Sequence, residues 1–475
     1  MRTVIRDEVL LSDNTAIADD QGNKRSYREL AEGAEDLRLC VEERSLLFLL
    51  CDHQTETAEF IYEILYIHAV PLLLPGEIDE ELLEQLMQIY QPGYLYCQNS
   101  RKTAGTERRV KEWKNHTLWK TGAPKVSIHP DVALLLSTSG TTGSSKLVKL
   151  TYDNLYDNAA YGCRHLQIEA GQKGLSPLPL HYAFGLSFCL WHWHCGATVL
   201  LTEESVFGRG FQEFYMRERA ANFAATPYTY RMLQKIRFWD QEKAAFLNFA
   251  ISSGAQIAEQ EHLELVSVLK EKFWVGYGQT ECIGIVLAAS FDEGHVRTGT
   301  VGRAFDNAEV TVDPKTGEML IRSRSVCMGY AVSREDLETG DVNHGILHTG
   351  DVVKIEDGYI YLQGRLKRFV KILGKRVSLD DIGNYLENKY QNAEFACIGT
   401  DDHIEIYHTD PESGAEEEIR ELLYRNMKIP AEFITCFCLE KIPRNSSGKI
   451  AYAGLGGPAY KKTGAYHERK NTEDL

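Results

Sequence analysis

The chain reads as an α/β protein with a small α+β domain at its C-terminal end. Three observations predict this. The first 130 residues alternate short apolar runs of strand length with segments of helical apolar spacing, the pattern of a mostly parallel sheet with helices on its faces. Further apolar runs at 196–201, 249–255 and 273–281 start from or end in glycine and small-residue turns. A hairpin arm at 357–362 is followed by a short basic stretch. That places a boundary near 364–368 and leaves residues 369–475 room for a core of their own.

Taken in order, Ser26-Tyr27-Arg28-Glu29-Leu30 starts a helix with a serine cap and a polar first turn. Ser45 to Cys51 is a buried strand, Thr55 to Tyr66 a helix, and Val70 to Pro75 a second strand bounded by prolines. Residues 101–130 are polar and basic and read as a surface connection. Leu134-Leu135-Leu136 is a buried strand, and Thr151-Tyr152-Asp153-Asn154-Leu155 opens a helix. The polar end, 462–475, reads as a flexible tail.

Composition narrows the function. With 43% hydrophobic and 25% charged residues, this is an ordinary soluble globular chain. A net charge of -16 argues against a general nucleic-acid or membrane binder. No apolar run approaches ~18 residues, and Met1 to Asp7 lacks a signal-peptide core, so a cytoplasmic location is expected. The 11 cysteines are scattered; Cys436 and Cys438 have no second pair at metal-ligand spacing, so free thiols are expected.

The stretch that carries chemistry follows the leucine strand: Ser137-Thr138-Ser139-Gly140-Thr141-Thr142-Gly143-Ser144-Ser145-Lys146. Glycines let backbone approach a ligand, successive N–H groups make an anion nest, and hydroxyls and a lysine add donors and charge. The reading is a loop that wraps a polyphosphate; the plain alternative is a flexible polar turn. It is not a Walker loop, because G-x-x-x-x-G-K-[ST] is absent.

Four more motifs follow in order: Tyr277-Gly278-Gln279-Thr280-Glu281, Thr349-Gly350-Asp351, Gly364-Arg365, and Pro443-Arg444-Asn445-Ser446-Ser447-Gly448-Lys449. Together the five resemble the adenylate-forming (AMP-binding) superfamily, which holds acyl- and aryl-CoA synthetases, peptide-synthetase adenylation domains and beetle luciferases. The resemblance runs from about residue 26 to about residue 453. It implies a large N-terminal domain of layered sheets and helices plus a small mobile α+β C-terminal domain. The expected boundaries are an AMP-binding domain over 1–363, a hinge at 364–368, and a lid over 369–475.

The implied reaction has two steps. ATP and a carboxylic acid form an acyl-adenylate and pyrophosphate; a thiol, of CoA or of a carrier protein's phosphopantetheine, then takes the acyl group and AMP leaves. Two anions must meet, so the site must neutralise charge and align the attacking oxygen with the α-phosphorus. The implied cofactors are ATP and Mg2+. A carrier-loading enzyme and a non-catalytic adenylate-binding regulator are the competing readings; Glu281 and Lys449 argue against the second.

By resemblance, Thr138, Ser139, Gly140, Thr141, Thr142, Gly143 and Lys146 hold the β- and γ-phosphates. The family usually has Pro-Lys-Gly there, whereas this chain has Ser145-Lys146-Leu147. Gly254, Ala255, Tyr277 and Gly278 belong to the nucleotide site, with Tyr277 packing against adenine or, alternatively, serving as a core tyrosine. Thr280 matches an α-phosphate contact. Glu281, with Thr141, matches the magnesium ligands; the alternative for Glu281 is a helix-cap carboxylate. Asp351 matches the ribose acceptor and Arg365 a second ribose contact; a turn aspartate is the alternative. Lys449 matches the catalytic lysine, where residues alone suggest a solvated lysine beside a glycine. Lys367 falls on the hinge position.

The acid pocket is expected to include Tyr182, Ala183, Gly276, Cys282 and Gly284, with the two glycines leaving room for an acid larger than acetate. Ala183 stands where peptide-synthetase domains carry an aspartate, and no carboxylate lies between Gly174 and Leu201. A buried substrate ammonium would lack a partner, so the substrate is expected to be an acyl, aryl or hydroxy acid. His181 beside Tyr182 reads as a satisfied core residue. Arg365, Lys367, Arg368, Lys371, Lys375 and Arg376 form a run without an acid, read as a steering patch for CoA or an acidic carrier, or as a solvated face.

Overall fold

The computed structural model describes residues 4–101, 106–137, 146–291, 294–373, 375–390, 393–410, 415–445 and 449–456. The chain divides into two compact units. The first comprises Met1–Lys315, Met319–Thr349 and Ile355–Tyr361; the second comprises Thr316–Glu318, Gly350–Lys354 and Leu362–Leu475. The expected tail at 462–475 and the phosphate-loop residues 138–145 lie outside the described residues.

The first unit holds two large sheets. In the eight-stranded one, Leu46–Cys51 runs parallel to Val70–Pro75 and to Tyr94–Gln98, and Val70–Pro75 runs parallel to Val132–Ser137. Every residue of Leu46–Cys51 is buried, which explains its unbroken apolar run: a parallel strand covered on both faces has no side to offer water. Leu147–Thr151 then returns antiparallel to Val132–Ser137, and Gly329–Ala331 pairs antiparallel with Leu147–Lys149. The nine-stranded sheet is parallel through its middle, from Phe273–Gln279 and Phe249–Ser252 across to Thr198–Leu201 and Thr15–Asp19.

Helices Tyr27–Arg38, Thr55–Tyr66 and Ala183–Cys195 share one core with strands of both sheets. All of Ala183–Cys195 is buried, consistent with a sequence that is apolar around the whole helix. The helix starts are fixed locally. Ser26 and Glu29 form a capping box on Tyr27–Arg38, as do Thr151 and Asn154 on Tyr152–His165.

The surface connection expected over 101–130 is corrected. Arg108–Glu112 and His116–Lys120 form a hairpin that extends the eight-stranded sheet from Tyr94–Gln98. His116 is fully buried, with Nε2 2.7 Å from Asp52 Oδ2. The basic residues lie on a sheet edge, where charge is common and obscures the strand pattern.

In the second unit, the hairpin Phe369–Ile372/Lys375–Ser378 and the sheet Phe395–Thr400, His403–His408 and Ile434–Cys438 pack with helices Leu379–Lys389 and Ala415–Met427 around Ile382, Leu386, Ile406, Ile419 and Leu423. All eleven cysteines are free thiols. No helix among the described residues is long and apolar enough to cross a membrane.

One buried carboxyl group carries a cost. Glu63, on Thr55–Tyr66, is fully buried against Gly33, and neither of its side-chain oxygens has a hydrogen-bond partner. Burial pushes its pKa from 4.5 up to about 8, so at pH 7 it is protonated in the fold. A folded-state pKa above the unfolded one means stability is full below pH 4.5 and declines as pH rises toward 8, by roughly 3 kcal/mol at pH 7. Chemical denaturation between pH 5 and 8 should show this slope, and Glu63→Gln should flatten it; an equal slope in the variant would show that another group is responsible.

Candidate active site

The chain enters the proposed phosphate loop from Val132–Ser137 and leaves it into Leu147–Thr151, and Ser137 faces Leu147 across the antiparallel pair. Residues 138–145, Thr141 among them, are outside the described residues, but Lys146 is inside. Its Nζ lies 3.3 Å from the centre of the Tyr330 ring. The Tyr330 hydroxyl donates to Glu281 Oε1 at 2.9 Å. Burial raises the Tyr330 pKa well above its usual value, so the hydroxyl stays protonated and donates. Two residues 135 positions apart, one cationic and one anionic, thus meet the ring face and the hydroxyl of a single tyrosine.

Tyr330 is placed by strand pairing. Gly329–Ala331 lies beside Leu147–Lys149, directly after Lys146. Gly329 has φ 128°, and a Cβ there would collide with Val342, so only glycine fits. Sequence reasoning missed Tyr330, whose importance comes from a pairing between segments far apart in the chain.

Glu281 follows the strand Phe273–Gln279, in a short turn over Thr280–Cys282. Gly278 approaches the Gly284 carbonyl so closely that no side chain fits there. Tyr277 is buried, and Gln279 Nε2 donates to Tyr277 Oη at 2.9 Å and to Thr349 O at 2.8 Å. Gly254, with φ 94°, and Ala255 follow the neighbouring parallel strand Phe249–Ser252. The first unit therefore gathers Lys146, Tyr277, Gly278, Thr280 and Glu281 around the end of one strand and the exit of the loop.

In the second unit, Asp351 is nearly fully buried and Arg365 Nε lies 2.9 Å from its Oδ1. Gly350, at φ 69°, donates its N–H to Glu318 Oε1 at 2.9 Å. Lys449 donates its backbone N–H to Asn445 Oδ1 at 2.9 Å, and its carbonyl accepts from Asn445 N at 2.8 Å. Lys367 lies in the turn Leu366–Arg368; its side chain is outside the described residues, as are those of Lys375 and Arg376. The acid-free basic run is corrected in part. Arg365 pairs with Asp351, and Arg368 pairs with Asp380 at 2.5 Å, so partners from elsewhere in the chain engage two of its charges.

The expected room at the pocket glycines is also corrected. A Cβ on Gly276 would lie 3.0 Å from Ile285 Cδ1 and 3.2 Å from Ile251 Cδ1, and one on Gly284 would meet Ser187. Cys282 is fully buried, its thiol facing the Gln279 and Gly284 carbonyls. These glycines allow close packing rather than open space. Tyr182 and Ala183 are buried at the start of the helix Ala183–Cys195. His181 is not a satisfied core residue, because its Nδ1 has no partner. Burial pushes its pKa down to about 4, so it is neutral at pH 7.

Among the described residues, no group of three or more His, Cys, Asp or Glu side chains could hold a metal alone. A single part-exposed carboxylate, Glu281, fits Mg2+, which commonly takes one or two carboxylates with substrate phosphates and water.

The AMP-binding enzyme family model matches residues 10–331. The chain belongs to the AMP-binding enzyme family. It is an acid–thiol ligase, the kind that forms AMP. This AMP-binding enzyme is similar to 4-coumarate–CoA ligase CCL1 of Humulus lupulus, 25% identical over 89% of this chain and 85% of that one. It is also similar to the 2-succinylbenzoate–CoA ligase of Staphylococcus epidermidis, 27% identical over 67% of this chain and 68% of that one. Its fold is similar to ATP-bound MatB from Rhodopseudomonas palustris, with a TM-score of 0.77, 19% identity, and coverage of 95% of this chain and 96% of that one.

Tyr330→Phe keeps a ring face for Lys146 and removes the donor to Glu281; Tyr330→Leu removes both. Calorimetric titration with Mg·ATP should show a loss of about 1 kcal/mol for Tyr330→Phe and more for Tyr330→Leu. Equal affinity in all three proteins would dismiss Tyr330 from the site.

Proposed function

We propose that this AMP-binding enzyme activates an apolar aryl or acyl acid with ATP and passes the acyl group to the thiol of CoA.

 The observation that carries this reading is the Lys146–Tyr330–Glu281 arrangement, a cation and a carboxylate held side by side without neutralising each other. A carboxylate oxygen attacks the α-phosphorus, forming the acyl–phosphate bond as pyrophosphate leaves. The thiol sulfur then attacks the acyl carbon, and AMP leaves. Lys146 and the loop before it bind the phosphate tail. Glu281, with Thr141, would hold Mg2+, which when bound would offset phosphate charge. Asp351 and Arg365 take the ribose hydroxyls, and Tyr277 packs against the base. Lys449 brings positive charge to the attacking carboxylate, and Lys367 serves as the pivot about which residues 369–475 rotate between the two steps.

The substrate class follows from residues 174–201, which contain no Asp, Glu, Lys or Arg. Burial lowers the pKa of all three histidines in this segment, His181, His192 and His194, so they stay neutral at pH 7. A wall without charge suits an uncharged acyl or aryl body and leaves the ammonium of an α-amino acid without a partner. The similarity to ligases named for 4-coumarate and 2-succinylbenzoate supports an aromatic acid.

Pyrophosphate exchange with a panel of aryl, acyl and α-amino acids tests the reading, followed by CoA or a phosphopantetheine-bearing carrier protein as acceptor. Exchange is expected with plain acids and not with α-amino acids, and Lys449→Ala should slow it by roughly 10²–10³. Undiminished exchange in Lys449→Ala, or exchange with α-amino acids alone, overturns the proposal. Lys367→Pro should leave pyrophosphate exchange largely intact and block thioester formation; equal loss of both half-reactions would remove Lys367 from the hinge.

A further inference from the structure

Behind Glu281 the backbone adopts a conformation that its sequence resists. Ile283 has φ 52° and Gly284 φ 103°. The left-handed region is a true outlier for a β-branched residue, and such strain persists only where the surroundings impose it. Ile283 is fully buried.

Asn158, on the helix Tyr152–His165, spans this turn. Its Nδ2 donates to Cys282 O at 3.4 Å and to Ile285 O at 3.0 Å, the carbonyls on either side of Ile283 and Gly284. Trp191 Nε1 donates to Asn158 Oδ1 at 2.9 Å. An indole N–H can only donate, so the amide oxygen must face Trp191 and the amide nitrogen must face the two carbonyls. Asn158 is 2% exposed, so water does not compete for these bonds.

The same helix face holds the segment that approaches Glu281 from the other side. Asn154 Nδ2 donates to Arg324 O at 2.7 Å and Val326 O at 2.8 Å, and Asp157 Oδ2 accepts from Ser325 Oγ at 2.9 Å. The next residue, Cys327, donates its N–H to Glu281 O at 2.8 Å, and Tyr330 donates to the Glu281 carboxylate.

We propose that Asn158 is a positioning residue: by holding the left-handed turn after Glu281, it fixes the carboxylate that meets the divalent cation and the nucleotide phosphates. The inference rests on the reading of Glu281 as the metal-binding carboxylate.

The test measures Mn2+ binding to the full chain by electron paramagnetic resonance, with α,β-methylene-ATP present, alongside thermal melting and the steady-state KM for the acid. Glu281→Gln should weaken Mn2+ binding; unchanged binding overturns both the reading of Glu281 and the role of Asn158. Asn158→Ala should weaken it about tenfold, the scale of one or two lost hydrogen bonds, with the acid KM within about twofold of the parent. Asn158→Asp keeps the shape and the acceptor for Trp191 but turns an oxygen toward the carbonyls; it should weaken Mn2+ at least as much, and serves if the alanine variant does not fold. Trp191→Phe should lower the melting temperature and leave Mn2+ affinity within about twofold. If Glu281→Gln weakens binding while neither Asn158 variant does, or if Trp191→Phe weakens it as much as Asn158→Ala, Asn158 is a packing residue only.

Discussion

The constraint on which the first unit's site depends is the separation of two opposite charges by one aromatic ring. A lysine and a glutamate free to approach would pair, and each would then have to be pulled from the other before meeting a ligand. Tyr330 prevents this by offering its ring face to Lys146 and its hydroxyl to Glu281. The arrangement needs three backbone segments in register. Gly329–Ala331 beside Leu147–Lys149 supplies the ring at the exit of the loop. Lys149 anchors that strand further: it is 1% exposed, and its ammonium donates to the Asp336 and Thr339 carbonyls at 2.8 Å each. Its charge is spread over neutral oxygens, so it stiffens the strand without adding a competing anion next to the site.

How much of this was legible in the sequence depended on whether the cause was local. The strand expected over Ser45 to Cys51, the helix Thr55–Tyr66, the Ser26 cap and the helix opening at Thr151 follow from residues a few positions apart, and the structure places them there to within a residue. The family was legible for a related reason: its motifs are short and ordered, and each reports a turn, a donor or an acceptor. The hairpin 108–120 was not legible, because its strands sit at an edge and carry charges that hide alternation. Nor were the partners of Arg365 and Arg368, since Asp351 and Asp380 lie outside the basic run that drew attention. The glycines at 276 and 284 show the same limit. A missing side chain reveals that something comes close, but only the fold reveals that it is Ile285 or Ser187 rather than a ligand.

Charge is distributed unevenly over the first unit, and that bears on the order of events. Residues 174–201 bring no ionised side chain to the expected acid pocket, and burial keeps their histidines neutral. The ammonium of Lys146 is already turned to Tyr330 and, on the proposed reading, belongs to the phosphate tail. A carboxylate entering such a pocket loses hydration without gaining a counter-charge from the pocket wall, which is costly in a low-dielectric site. The missing positive charge must come from outside the wall. On the proposed reading Lys449 of the second unit supplies it, so the first unit alone binds nucleotide and acid but does not pay the electrostatic cost of bringing them together. On the same reading, activation waits on the arrival of that lysine, and the proposed rotation of residues 369–475 after the first step would remove the same charge once the adenylate has formed and no longer needs it.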